Sequence, residues 1–142
     1  MPTTTQFLTP VLVLVTWTLI MWIWMYATRI PAMNKAGVDP QDAAHPGTWA
    51  HRIPSSVRAV ADYYNHLHEQ PTIFYALMFF TALTGGGDAT ALRLAWAYVI
   101  LRVLHSLVQA TFNRVIVRFS IFALATLTLM IMVVRQLLRV LA

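Results

Sequence analysis

The chain has 142 residues, 58% hydrophobic and only 11% charged, where a soluble domain carries about 25% charged residues, so a water-soluble globule is excluded. The net charge of +5 comes from nine arginines and one lysine scattered along apolar segments, which excludes a basic nucleic-acid face. There is no cysteine, so disulfides, thiolate metal sites and cysteine nucleophiles are excluded as well.

The first 28 residues carry no charge. A secretory leader has a basic start and a shorter apolar stretch, so this segment reads as a retained span. Residues 7–27 are long enough to cross a hydrocarbon core, for which about 20 are needed. Pro10 falls in the first turns, where a missing N–H is best tolerated. Trp17, Trp22, Trp24 and Tyr26 thicken toward the far end and Arg29 follows, an aromatic belt and then a water-side anchor.

Residues 29–54 hold Pro31, Gly37, Pro40, Pro46, Gly47 and Pro54, and read as a long polar connection of the kind that is often functional. The second helix is predicted over 56–84, with Ser55 or Ser56 as N-cap. Its first half is polar and its second half apolar, so it reaches from the headgroup region into the core. Pro71 near the junction predicts a kink. Gly85, Gly86 and Gly87 end it in a tight hairpin, and Asp88 caps a third helix over 88–111. Asn113 and Arg114 mark another turn before a fourth helix over 115–138. The fold class is therefore all-α, an integral membrane bundle of four helices forming one domain. Arg29, Lys35, Arg52 and Arg114, with Arg58 and Arg118 close by, lie on the side of the first connection and third turn, against Arg93, Arg135 and Arg139 on the other, which puts 29–54 and 112–115 in the cytoplasm and both termini outside.

Two polar stripes stand out. Arg58, Asp62, Asn65 and Glu69 recur at spacings of 4, 3 and 4, and so share one narrow helix face; Arg102, Ser106, Gln109 and Asn113 repeat that spacing in the third helix. Facing lipid, each ionised group would cost at least about 2.5 kcal/mol. Facing one another across the hairpin, they can pair. Arg102 is nine residues from the nearest other charge of its helix, so an ion pair with Glu69 or Asp62 is expected. A bare packing device needs only that pair. Arg58, Arg114 and Arg118 beside Asn65 and Glu69 exceed it and suit an anionic ligand, because guanidinium groups fork onto carboxylates. His66 and Glu69, three apart, offer two metal ligands, but His66 and His68 diverge on a helix and no second pair exists, so no metal site is assigned. His105 reads as a hydrogen-bonded interior histidine. No phosphate loop, nucleophile elbow or dinucleotide fingerprint is present.

These residues carry a resemblance. Asn65-x-x-x-Glu69-x-Pro71, Arg102-Val-Leu-His105, Arg114-x-x-x-Arg118 and the Pro40-Gln41-Asp42 stretch, in this order, resemble the MAPEG family (membrane-associated proteins in eicosanoid and glutathione metabolism) over nearly the whole chain. The run Asn-His-Leu-His-Glu-Gln-Pro looks like a bacterial branch, which implies a bacterial inner membrane. The resemblance implies a homotrimer that binds glutathione between neighbouring subunits and acts as a transferase or peroxidase on lipophilic substrates. Arg118 would be the catalytic arginine that stabilises the thiolate, with Arg58, Asn65, Glu69 and Arg114 as ligand residues. Here His68 stands where the family has its glutamate, Ala61 replaces an arginine, and Gln109 and Phe122 replace tyrosines. His68 and Gln109 thereby become candidate ligand residues. The same replacements leave an alternative open: a non-catalytic member that binds lipid or serves as a subunit of a membrane assembly.

Overall fold

The computed structural model describes residues 1–142, the side chain of Pro46 excepted. The regular elements are α1 (Thr4–Lys35), three short 3₁₀ turns at Asp42–Ala44, Pro46–Thr48 and Ala50–Arg52, α2 (Ser55–His66), α3 (Gln70–Leu83), α4 (Ala89–Ala110) and α5 (Val115–Leu141). By length and composition α1, α4 and α5 can each cross a membrane. α2 and α3, 12 and 14 residues long, follow one another across a break.

α1 begins before the expected residue 7 because Thr3 and Gln6 form a reciprocal capping box, Gln6 N donating to Thr3 Oγ1 (3.2 Å) and Thr3 N to Gln6 Oε1 (2.9 Å). It also runs past residue 27 and through Pro31, so the expected 29–54 connection shortens to the stretch after Lys35. The lost hydrogen bond at Pro31 is offset by packing. Ala32, Met33 and Ala36 cover a small cluster of Val38, Trp49 and Ile53, and the Arg29 guanidinium lies 4.7 Å from the centre of the Trp49 ring. The connection thus folds back onto the end of α1 instead of hanging into water.

The single helix expected over 56–84 is broken. α2 stops at His66, Glu69 takes φ −93° and ψ −99°, and α3 restarts with Pro71 in its first turn, where proline is at home. The break precedes the proline, because the residues before it are the ones its ring forces out of helix. Pro54, not Ser55 or Ser56, occupies the N-cap position of α2. Asp88 caps α4 by accepting from Ala91 N at 2.6 Å.

Phe7, Leu14, Met21, Val60, Tyr63, Phe74, Met78, Ala95 and Tyr98 form the core. Polar ties cross it: Trp17 Nε1 donates to Ser106 Oγ (2.8 Å), and Tyr98 OH and Thr126 Oγ1 bracket the Gln70 amide at 3.2 and 2.9 Å. Two ends result. One gathers Phe7 and the Gly85–Asp88 turn; the other gathers the folded connection, the start of α2 and the α4–α5 turn.

Candidate functional site

The second end carries two adjoining clefts. The first, about 440 Å³, runs between the end of α2 and the start of α5. Asp62, His66 and Glu69 form its polar wall, and Val115, Phe119 and Phe122 its apolar wall. The second, about 530 Å³, lies under the connection and takes Arg29, Trp49, Arg58, Asn65 and Asn113. Asp62, Gln109 and Arg118 border both, so Arg118 stands where the two meet.

Local structure explains that placement. Asn113 adopts φ 44°, a conformation asparagine tolerates better than most residues, and its N–H donates to Val108 O at 2.8 Å to close α4. The chain reverses there and α5 starts at once. Arg118, in the first turns of α5, is turned back toward α2, and its Nη1 donates to Asn113 Oδ1 at 2.8 Å. Arg58, Asp62 and Asn65 come from successive turns of α2 on its exposed face.

The break after His66 places the rest. Glu69 swings out with its side chain 67% exposed and accepts from His66 Nδ1 at 2.8 Å. The His66 ring sits 5.5 Å from that of His105 and 5.4 Å from Phe122, centre to centre.

The expected ion pair between Arg102 and Glu69 or Asp62 is not formed. Arg102 is fully buried, but its one side-chain bond is from Nη2 to His66 O at 3.5 Å, and its Nε and Nη1 have no partner in the protein. The guanidinium instead lies 5.9 Å from the Tyr63 and Phe122 ring centres. The reason is the helix break, which ends α2 above Arg102 and carries Glu69 outward. The carbonyl of His66, exposed at a helix C-terminus, takes the place the carboxylate was expected to fill.

Two further expectations shift. His68 borders neither cleft; it is exposed, with Nδ1 3.0 Å from Tyr64 O. Arg114 is the exposed N-cap residue of α5 and also borders neither. Arg58, Asn65, Glu69, Gln109 and Arg118 do come together around the paired clefts.

Arg29 and Trp49 were not legible as wall residues, since nothing in their spacing shows that the connection folds back. His105, expected to be hydrogen-bonded in the interior, is buried beside the His66 ring with its Nδ1 unpartnered among the described residues. The spacing of His105 one turn before Gln109 and of His66 one turn before Glu69 was the available signal.

Compared with known proteins, residues 7–138 match the family model described as the MAPEG family. No curated protein and no solved structure matches the chain.

Proposed function

Because the chain belongs to the MAPEG family, an integral membrane bundle, we propose that it is a glutathione-dependent transferase or peroxidase acting on lipophilic electrophiles. The observation that carries this reading is the convergence of Arg29, Arg58, Asn65 and Arg118 on one cleft. The donor set fits the tripeptide, which carries two carboxylates and one ammonium. Arginine forks suit the carboxylates and Asp62 suits the ammonium. Trp49 Nε1, buried and without a partner in the protein, offers a further donor in that wall.

Glutathione, when bound, supplies a thiol. Arg58 and Asn65 hold the peptide. Arg118 sets a fixed cation where the two clefts meet, and a nearby cation lowers the pKa of a thiol. Glu69 is taken up by His66 and is not assigned to the peptide. Val115, Phe119 and Phe122 give the first cleft an apolar wall for the electrophile.

We extend the proposal to a homotrimer. On the single chain Arg58, Asp62, Asn65 and Glu69 are exposed along one flank. Against lipid the ionisable ones among them carry a cost that rises toward about 2.5 kcal/mol or more at mid-bilayer, so cover by neighbouring copies is favoured. The excess of basic residues at the connection and the α4–α5 turn supports a cytoplasmic site in a bacterial inner membrane.

Calorimetric titration of the detergent-purified protein with glutathione tests the reading. Millimolar or tighter binding is the expected result. No heat at any concentration overturns it and leaves a non-catalytic member that binds lipid or a membrane partner.

A further inference from the structure

A histidine with one ring nitrogen held by a carboxylate is an oriented proton acceptor. The carboxylate fixes Nδ1 as the protonated nitrogen and leaves Nε2, on the other side of the ring, with a lone pair. His66 and Glu69 have this arrangement: Nδ1 lies 2.8 Å from Glu69 Oε2, and the His66 side chain is 26% exposed, in the wall of the first cleft. The ring of His66 is held on three sides. His66 is the last residue of α2, its ring is packed near His105 and Phe122, and the backbone break brings the exposed Glu69 carboxylate within 2.8 Å of its Nδ1. Arg118 borders the same cleft.

We propose that His66, oriented by Glu69, is the general base that takes the thiol proton in the first cleft, with Arg118 holding the charge that results. This deepens the glutathione reading and rests on it. His66 Nε2 accepts the proton: the S–H bond breaks, an N–H bond forms, and the Glu69 carboxylate balances the imidazolium. When sulfur bonds to an electrophilic carbon, the imidazolium returns the proton to the leaving group or to the carbanion. No oxidant or further reactant enters.

The groups facing His66 favour this division of labour. Asp62 stands one turn back on its own helix and Glu69 lies beyond the break. From α4 come His105 and the guanidinium of Arg102, and from α5 comes Arg118. The carboxylates of Glu69 and Asp62 favour the protonated ring, and the two cations, which oppose it, are offset by the anionic sulfur they hold once the proton has moved.

The test follows the ultraviolet absorbance of the thiolate when glutathione is mixed with detergent-solubilised protein across a range of pH, with calorimetric binding measured in parallel. In His66→Gln, glutathione still binds, while turnover falls by about a hundredfold and the thiolate signal loses the ionisation seen in the wild type. Glu69→Gln, at an exposed position, carries the test if His66→Gln does not fold; its turnover falls roughly tenfold, the smaller share of a general-base contribution. Unchanged thiolate and pH profile in either folded variant overturns the proposal and leaves the glutathione reading standing. Absence of glutathione binding in the wild type overturns both.

Discussion

Asn113 both turns the chain and aims the candidate catalytic arginine: its backbone takes φ 44° between α4 and α5, and its Oδ1 accepts from Arg118 Nη1 at 2.8 Å. Among the described residues it is the one non-glycine position with positive φ. A residue chosen only for the turn would be glycine. The amide adds an acceptor for the guanidinium at the junction of the clefts.

Two substitutions separate those jobs. Asn113→Gly keeps the turn and removes the acceptor, whereas Asn113→Ala keeps a Cβ in the left-handed region, a conformation that costs about 1–2 kcal/mol, without the short polar side chain by which asparagine offsets it. Both are expected to weaken glutathione turnover by roughly tenfold, the lower end of what a hydrogen bond to a charged group contributes. Only Asn113→Ala lowers the thermal midpoint appreciably. Turnover and thermal unfolding in detergent check this; wild-type turnover in Asn113→Gly would show that Arg118 is aimed by something else.

Arg118→Ala removes the cation shared by the two clefts. Conjugation or peroxidase turnover is expected to fall by about a hundredfold or more, the scale for losing one preorganised charge stabiliser. The assembly state by light scattering in detergent should not change, because the side chain's one hydrogen bond is to Asn113. Undiminished turnover would remove Arg118 from the mechanism.

The removal of Arg102 distinguishes an ion pair from what the structure shows. Breaking a buried pair by deleting one partner costs about 3–5 kcal/mol, because the other charge is left buried and uncompensated, whereas deleting a buried charge that has no ionic partner strands no second charge. Arg102 has no carboxylate partner and one long bond, to His66 O at 3.5 Å. The tie from Tyr63 OH (2.7 Å) goes to its backbone carbonyl and survives any side-chain change. Arg102→Met is therefore expected to unfold in detergent no earlier than the wild type. A loss near the ion-pair figure would mean that an acidic partner reaches it in the assembled protein.

The spans were legible because lipid demands long apolar runs, and the stripe of Arg58, Asp62 and Asn65 because a helix repeats every three to four residues. Both signals are local. The break after His66 was not legible: Pro71 marks a disturbance, but which residues before it leave the helix depends on the packing of α3. Once α2 ends early, Glu69 moves outward and Arg102 loses the partner that straight-helix geometry assigned to it. Arg29 and Trp49 were hidden for a related reason. They reach the second cleft because Val38, Trp49 and Ile53 bury one another under the end of α1, a contact that no periodicity within the connection announces.

At the opposite end the fold closes on a glycine. Arg139 Nη1 donates to Thr84 O (2.9 Å), its Nη2 to Thr84 Oγ1, and its Nε to Gln136 Oε1 (2.9 Å), so the end of α5 is clamped on the end of α3. A cation on the last carbonyls of a helix is favourably placed. Asp88 and Arg135, 2.8 Å apart, brace the same turn. Gly86 lies beneath the clamp: a Cβ there would come 2.6 Å from Gln136 Oε1 and 2.7 Å from Arg139 Cζ. Gly86→Ala must therefore displace both side-chain ends; both are flexible, so the cost is that of the charged hydrogen bonds the clamp gives up, about 1.5–3 kcal/mol. With Arg139→Ala already in place, Gln136 is released from its partner and can turn aside. Adding Gly86→Ala should then cost less than half as much, a coupling above the roughly 0.5 kcal/mol by which independent sites depart from additivity. Thermal unfolding of the two single variants and the double variant in detergent measures it. Strict additivity would mean that the clamp contributes nothing at Gly86.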